Sequence, residues 1–438
     1  MRVSTLSLAV AVMGVIAVVS TACAPGAPSA PSSPASGPVS VDMSSFKGKT
    51  LTYVYFTDGP DEQATRAAIS KFEAATGATV NLQLLPFADV NTSLQARLAA
   101  GNAPEVARVA DWHPYATDVV DFKSYFGADY PAQFSDGPAK SVLDASGAML
   151  AVPSDVTING PFVNVDAFQK AGVPVPTDKT KWTWDQMVAD AQKVQQANGM
   201  ESALAIDKSG NRVSTVLSQY GTMMIGENGK NALDTAKAEA AIGMLTKLIS
   251  TGVVSKDFWL GAGSKYKGAN DLFLAKQAAV YLSGPWQVGA FAKSASFNWA
   301  AVANPCAERC GGYPGGKFMV AFKSSKEPTL GAAFVEWMNR TDNQSTIDKA
   351  AFWLPTRKDL VSAGVTYPDR AADMATFLSQ VAATPADTFV GANSPAFATS
   401  ATALVKEMDK VVAGQEDVAT AVANTKVAID GAIKAAAK

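Results

Sequence analysis

The sequence is poor in the residues on which many enzyme active sites depend. It contains one histidine and three cysteines among 438 residues. A Ser–His or Cys–His nucleophile would have to use His113, and a zinc site would lack its usual ligands. The Gly-rich GYPGGK stretch lacks the spacing of a phosphate loop. We therefore expect no metal and no other cofactor, whereas a glycosidase with two carboxylates stays open because acidic residues are plentiful.

The sequence also lacks a large net charge and, after its N-terminal segment, any long apolar run. The formal net charge is −2, which gives no sign of a nucleic-acid partner. No segment after the N-terminus is apolar enough to cross a bilayer. The body of about 390 residues is too long for a single core and suggests two lobes. We expect a folded body outside the membrane, and a monomer.

One apolar run, LSLAVAVMGVIAVVS, does occur close to Arg2. It has the length of a signal-peptide core and is short for a membrane span. It ends in STAC, which resembles the lipobox of bacterial lipoproteins, with Ser20 where Leu is usual. This resemblance implies a lipoprotein signal peptide over residues 1–22 and lipid on Cys23, which would anchor the protein at the outer face of the cell membrane. Ordinary secretion, with cleavage at 22–24, is the alternative.

The segment after this leader has the composition of a tether. Residues 23–46 are rich in Pro, Ser, Ala and Gly and bury too little to offset the entropy of ordering. A flexible coil of that length spans on the order of 25 Å. We expect it to hold the folded body just off a membrane surface.

The other two cysteines lie close together in CAERC, as Cys306 and Cys310. They can form a disulfide in an oxidising compartment. Two reduced, buried thiols are the alternative. Pairing would leave Cys23 as the odd cysteine, which agrees with its lipidation.

The first part of the body predicts alternating strands and helices. Strand-like runs are Leu51–Phe56, TVNLQLL and PEVARVA, and the helical patterns DEQATRAAISKFEAATG and NTSLQARLAAG lie between them. This order implies a parallel, doubly wound sheet with ligands at the carboxyl ends of its strands. The loops at those ends contain Asp58, Asp111, Trp112 and His113.

The second part carries a helix start and a turn. Thr183 and Gln186 form a capping-box pattern. A Gly284–Pro285 turn presents Trp286 after a strand. Trp184 and Trp337 fit helix-start and helix-face patterns, so we expect both to be structural.

Four stretches resemble the extracellular solute-binding proteins of family 1, the carbohydrate-binding subunits of bacterial ABC importers. They are LAAGNAPEVARVADWHPYA, AVPSDVTINGPFVNVDAFQKAGVPVP with TWDQM, FLAKQAAVYLSGPW, and KAAFWLPTRKDL. Their order and spacing carry the resemblance, which covers nearly all of 48–438. It implies an α/β fold of the type II periplasmic-binding-protein kind, with two lobes, each a sheet flanked by helices, joined by a hinge. The protein would close on a sugar and deliver it to permease subunits.

The resemblance also divides the chain between the lobes. Residues 47–158 and 287–323 would form the N-terminal lobe. Residues 159–286 and 324–438 would form the C-terminal lobe. The chain would cross between the lobes near 159–162, 283–287 and 323–327.

A sugar site needs acid and amide groups for hydroxyls and aromatic planes for the C–H face of the ring. Carboxylates would accept hydroxyl hydrogen bonds, indoles would stack, and Asn or Arg side chains would donate. The candidate ligand-binding residues are Asp58, Asp111, Trp112, Asn159, Tyr220, Trp286, Trp353 and Arg357.

Some of these candidates have close competitors. Phe352 and Trp353 are adjacent, so in an extended segment only one would face the ligand, and we favour Trp353. Core packing is as good an explanation for Tyr220 as ligand contact. The alternative ligands are a glycerophosphodiester, a peptide or a polyamine. An anionic ligand would require several cations in the cleft, where the sequence places only Arg357 and Lys317.

Overall fold

The computed structural model describes residues 41–177, 182–261 and 264–437. The expected signal peptide, the expected lipidation site Cys23 and most of the expected tether lie outside the described residues. The last part of the expected tether is folded: Met43–Phe46 form a 3₁₀ helix that is capped by the Asp42 side chain. Phe46 is buried in the core, so the folded body begins a few residues earlier than expected.

The described residues form strands, α-helices and short 3₁₀ helices. The strands are β1 (Thr50–Tyr55), β2 (Thr79–Leu84), β3 (Val106–Val109), β4 (Val152–Ile158), β5 (Gly160–Asn164), β6 (Ser202–Ile206), β7 (Ala278–Ser283), β8 (Trp299–Ala301) and β9 (Pro314–Ala321). The helices are α1 (Glu62–Thr76), α2 (Phe87–Ala99), α3 (Lys123–Phe126), α4 (Asp136–Lys140), α5 (Val165–Lys170), α6 (Trp184–Asn198), α7 (Gly210–Gln219), α8 (Thr235–Ser250), α9 (Lys256–Leu260), α10 (Ala269–Leu274), α11 (Val288–Ser294), α12 (Pro328–Met338), α13 (Thr341–Ala351), α14 (Lys358–Ala363), α15 (Ala371–Ala383), α16 (Asp387–Ala392), α17 (Phe397–Val412) and α18 (Val418–Ala436). Further 3₁₀ helices are His113–Tyr115, Tyr130–Gln133 and Pro285–Gln287.

These strands build two separate sheets. The first has the order β2-β1-β3-β9-β4 and the second the order β6-β7-β5-β8. β1 is parallel to β2 and β3, as the alternating pattern predicts. β9 and β5 run antiparallel to their neighbours. The predicted α/β fold, with two sheets flanked by helices, is confirmed.

The helix signals in the sequence act as expected. In α1 the buried positions Ala68, Ile69 and Phe72 share one face, and the helix ends at Gly77 in a left-handed conformation. In α6 the Thr183 and Gln186 side chains form the reciprocal capping box. Both helices therefore pack on a sheet with the apolar face that the spacing of their apolar residues predicts.

Within the part of the chain that the structure describes, three connections run between the two sheets. Asn159 is the single residue between β4 and β5. Residues 302–313 connect β8 to β9, and residues 354–370 lead from α13 to α15. The first two crossings lie against each other, because a Cβ atom on Gly312 would stand 2.3 Å from the carbonyl oxygen of Asn159. A glycine is required at that approach.

Two segments pack with a different sheet from the one expected. β8 pairs with β5 in the second sheet, although the sequence division placed 287–323 in the N-terminal lobe. α12 and α13 bury Phe334 and Ile347 in the core of the first sheet, although 324–438 was assigned to the C-terminal lobe. A helical pattern does not say which sheet a helix covers. We therefore propose lobes of 41–158 with 314–353, and 160–301 with 371–437.

Candidate functional site

A cleft of about 770 Å³ opens between the two sheets. The loops after β1 and β3 and the start of α2 line one side, and the start of α7, one face of α17 and the turn before α11 line the other. The lining side chains with polar, charged or aromatic groups include Phe56, Asp58, Phe87, Asp111, His113, Asn159, Lys208, Ser209, Asn211, Arg212, Trp286, Lys317, Asn393, Ser394, Thr402 and Lys406. The cleft therefore combines hydrogen-bonding groups with aromatic rings.

Asp58 lies in the cleft wall beside two cations. Its Oδ2 atom lies 3.2 Å from Lys317 Nζ and 4.0 Å from Arg108 Nη2. Burial acts to raise the pKa of Asp58, but the charges of Lys317 and Arg108 outweigh it, so the pKa lies below its ordinary value. The carboxylate is thus held ionised as a hydrogen-bond acceptor.

The backbone around Asp58 is fixed from behind. The Asp61 carboxylate accepts the Asp58 N–H at 3.0 Å and also the hydroxyl of Tyr55. The indole N–H of Trp353 donates to the Asp58 carbonyl at 2.9 Å. The Arg108 guanidinium also lies over the Trp353 ring, 4.2 Å from its centroid. The loop after β1 is therefore held in place by buried neighbours.

Asp111 and His113 form a second polar pair in the same wall. Asp111 Oδ1 accepts the His113 backbone N–H at 3.1 Å and lies 2.7 Å from His113 Nδ1. The Asp111 side chain is about one third exposed, so its second oxygen can accept a ligand hydroxyl. Both residues line the cleft.

Trp112 lies between Asp111 and His113 in the sequence, but its side chain is buried in the core. Only 3% of it is exposed, and its indole N–H donates to the Ser141 carbonyl at 2.9 Å. Its ring stacks on His113 with the centroids 4.0 Å apart. The structure therefore places Trp112 in the core and not in the cleft.

Trp286 reaches the cleft from the second lobe, at the turn that the sequence marks. Its indole packs so closely on Gly284 that a Cβ atom there would lie 2.1 Å from the ring. The Arg212 guanidinium lies over the indole, 4.5 Å from the ring centroid. The indole is therefore fixed by contacts with both Gly284 and the Arg212 guanidinium.

Asn159 holds the cleft floor with its side chain. Its Nδ2 donates to the Asn211 carbonyl at 3.0 Å and to Thr215 Oγ1 at 2.9 Å. Its Oδ1 accepts from Arg212 Nη1 at 2.7 Å. Since its side chain is already committed and the residue is buried, Asn159 positions Arg212.

The backbone of Asn159 joins two of the crossings. Its N–H donates to the Tyr313 carbonyl at 3.2 Å, and its carbonyl accepts from Asn304 Nδ2 at 2.8 Å. Tyr313 and Asn304 both belong to the 302–313 crossing. The two connections are therefore tied together at one residue of the cleft floor.

Arg212 is a cleft residue that the sequence reasoning missed. It lies in the first turn of α7, which Ser209 caps. Its Nη2 pairs with Asp207 Oδ2 at 2.8 Å, and Asp207 also accepts from Tyr281 at 2.6 Å and Ser283 at 2.7 Å. The Ser cap signals a helix start, but nothing in the sequence shows that the start faces a cleft.

Three other candidates do not reach the cleft. Tyr220 follows the far end of α7 and packs against the second core. Arg357 pairs with Asp359 at 3.1 Å and donates to Gln133 on the first lobe, away from the cleft lining. Trp353 is buried behind Asp58, so it acts on the loop and not on a ligand.

Phe352 does not reach the cleft either. It ends α13 with a φ of 59° and stacks on Tyr367 with the ring centroids 6.1 Å apart. Because the backbone turns left-handed there, the expected extended alternation of Phe352 and Trp353 is absent. Both rings are buried.

The disulfide between Cys306 and Cys310 is present and lies on the 302–313 crossing. The loop that it closes is held by Arg309, whose guanidinium forms two hydrogen bonds with Asp387, at 2.9 and 2.5 Å. Its Cys306 N–H donates to the Trp182 carbonyl at 2.6 Å. The crossing is thus attached firmly to the second lobe.

A family model described as bacterial extracellular solute-binding protein matches residues 67–376. The chain belongs to this family. The sequence-based assignment is thereby confirmed, and membership implies a location outside the cytoplasm. Family members are binding proteins rather than enzymes. No curated protein sequence matches the chain.

Solved structures share the fold of this solute-binding protein. The ABC substrate-binding protein Lmo0181 from Listeria monocytogenes, in complex with cycloalternan, matches with a TM-score of 0.74 and 20% identity, covering 87% of this chain and 98% of the other. The GacH receptor of Streptomyces glaucescens, solved unliganded and with acarbose, matches with a TM-score of 0.74 and 20% identity, covering 88% of this chain and 98% of the other. Maltose-bound MalE3 of T. maritima matches with a TM-score of 0.73 and 18% identity, covering 88% of this chain and 100% of the other.

The charges in the cleft of this solute-binding protein are close to balance. Among the described residues, four cations line it, more than the sequence indicated: Lys208, Arg212, Lys317 and Lys406. Lys208 pairs with Asp409 at 2.8 Å, and Arg212 and Lys317 have the aspartate partners described above. For Lys406 we find no ion pair within the described ranges. Most of the positive charge is therefore already neutralised.

Within 41–177, 182–261 and 264–437, no three or more His, Cys, Asp or Glu side chains come together as a metal site would require. In the same ranges, every helix is too short or too polar to span a bilayer.

The Asp58 environment gives a prediction. Replacing Lys317 by Met removes the nearest positive charge while the burial of Asp58 remains, so the pKa of Asp58 should rise relative to the wild type. A ¹³C NMR titration of the carboxyl carbons measures it. Lys326→Met, at an exposed lysine outside the cleft, is the control and should leave that pKa in place. An unchanged pKa in Lys317→Met would show that the ion pair does not govern Asp58.

Proposed function

We propose that this solute-binding protein captures an uncharged sugar or oligosaccharide for an ABC importer. The observation that carries the proposal is the convergence of Asp58 and Asp111 with the Trp286 ring in one cleft. Carboxylates suit the hydroxyl rim of a pyranose and an indole suits its C–H face. The similar proteins with bound cycloalternan, acarbose and maltose support the same ligand class.

The charge balance favours a neutral ligand over an anionic one. A glycerophosphodiester would require cations with unused charge, whereas three of the four cleft cations already pair with aspartates. A polyamine would require carboxylates with unused charge, whereas Asp58 already pairs with Lys317 and Arg108. A saccharide uses both the acceptors and the ring without an uncompensated charge.

Binding would proceed by closure of the two lobes about their crossings. Asp58 and Asp111 lie on the first lobe, and Trp286 and Arg212 on the second, so a ligand that contacts all four bridges them. Such a ligand stabilises the closed arrangement because it makes more contacts there. The permease would recognise the closed form. A micromolar Kd corresponds to about −8 kcal/mol, which stacking and several hydrogen bonds can supply.

The proposal includes no chemical step. A glycosidase needs one carboxylic acid whose pKa is raised so that it can protonate the leaving group. The pKa of Asp58 is shifted in the opposite direction, so this carboxylate does not suit the role of that acid. Incubation with a panel of oligosaccharides should return them intact with saturable binding; released products would favour the hydrolase alternative.

The test of ligand class is a thermal-shift screen with neutral sugars, phosphodiesters, peptides and polyamines, followed by calorimetry on the hits. We expect stabilisation by one or more saccharides, since a ligand that binds only the native state raises Tm. Stabilisation by an anionic ligand or a polyamine, with no response to any saccharide, would contradict the proposal.

Trp286 should contribute strongly to affinity. Trp286→Ala removes the second-lobe ring and should raise the saccharide Kd tenfold or more, while Trp286→Phe keeps an aromatic plane and should lose less. Calorimetry gives Kd and a thermal melt gives stability. As a control, Trp337→Ala removes an indole packed on Phe72 of the first lobe, and should lower Tm without changing Kd. Equal affinity in Trp286→Ala would remove this residue from the site.

We also propose that the mature protein is a monomer tethered by lipid on Cys23. The STAC sequence and the absence of a partner for that thiol in the Cys306–Cys310 pairing support the anchor. In cells, Cys23→Ala should move the protein from the membrane fraction to the soluble fraction. Cys310→Ala, which leaves Cys23 intact, is the control and should stay with the membrane. Membrane retention of Cys23→Ala would contradict the anchor.

A further inference from the structure

Phe87 is an aromatic side chain exposed inside the cleft. It is 59% exposed, and it is the only aromatic among the large hydrophobic side chains that are exposed in the described ranges. Its neighbour Leu84 is also exposed, at 42%, but does not line the cleft. Removing apolar surface from water is favourable, so a ligand that covers this ring gains binding free energy.

The ring of Phe87 is held in a defined orientation. It packs edge-to-face on Phe56, with centroids 5.0 Å apart and an interplanar angle of 61°. Phe56 is itself buried at 2% exposure, and the Arg108 guanidinium lies 4.5 Å over its ring. The support for Phe87 is therefore a buried pair and not a mobile surface.

The backbone of Phe87 is fixed as well. Phe87 is the first residue of α2, and Pro86 precedes it as the cap residue. The Leu85 N–H donates to the Tyr55 carbonyl at 2.8 Å, which ties this segment to the end of β1. Because β1 leads directly into the loop of Asp58, the ring and the carboxylate are positioned by the same strand end.

We infer that Phe87 is a ligand-contacting residue that packs against the apolar C–H face of a saccharide ring from the first lobe. The inference rests on the proposed sugar-binding function. Trp286 supplies an aromatic plane from the second lobe, and Phe87 supplies one from the first. The lobe that carries the acceptors Asp58 and Asp111 thus also carries its own stacking surface.

The experiment compares four variants by calorimetry with the saccharide that best stabilises the wild type. Phe87→Ala should raise Kd tenfold or more. Phe87→Tyr keeps the ring, so its Kd should stay within about threefold of the wild-type value. Phe87→Leu keeps apolar bulk without a ring, so its Kd should rise at least about fivefold. Leu84→Ala, the matched control outside the cleft, should stay within about twofold. Because Phe87 is exposed, we expect all four variants to melt near the wild-type Tm.

The outcomes separate this inference from the function on which it rests. If the wild type binds a saccharide and Phe87→Ala binds it equally well, Phe87 is not a contact and the proposed function stands. If Leu84→Ala loses as much affinity as Phe87→Ala, the effect is not local to the ring and the inference is overturned. If the wild type binds no saccharide in the screen, the proposed function and the inference both fail.

Discussion

The arrangement of the cleft depends on the hydrogen bonds of one residue, Asn159. It is the only residue between β4 of the first sheet and β5 of the second, and its side chain and backbone together hold Arg212, Asn304 and Tyr313. An apolar residue there would leave buried donors and acceptors without partners, each of which costs about 1–3 kcal/mol. The amide therefore fixes the floor from which both walls of the site rise.

The second constraint is the pairing of charge behind those walls. Arg108 lies between Asp155 and Asp58, Lys317 also pairs with Asp58, and Arg212 pairs with Asp207. Buried ion pairs contribute little net stability, because desolvation offsets their attraction, but they do hold side chains in place. The resulting surface is polar and nearly uncharged, with aromatic rings on both lobes. Such a surface matches a neutral ligand that has hydroxyl groups and an apolar ring face.

The sequence could predict the parts of the site that follow from strand order. Asp58 and Asp111 follow parallel strands, whose carboxyl ends meet at one edge, and Trp286 follows a marked turn. Side-chain direction was not predictable in the same way: Trp112 faces inward, and the left-handed Phe352 turns Trp353 behind the wall. Arg212 and Phe87 lie in the first turns of helices, and only the packing of those helices brings them to the cleft.

The central claim is that a saccharide bridges the two lobes and draws them together. Lys71 in α1 and Lys247 in α8 are both exposed. Spin labels on cysteines introduced there, in a protein whose Cys23 is replaced by Ser, would report the distance between the lobes by double electron–electron resonance. We predict a shorter and narrower distance distribution when the best-binding saccharide is saturating. An identical distribution with and without that bound saccharide would contradict the account.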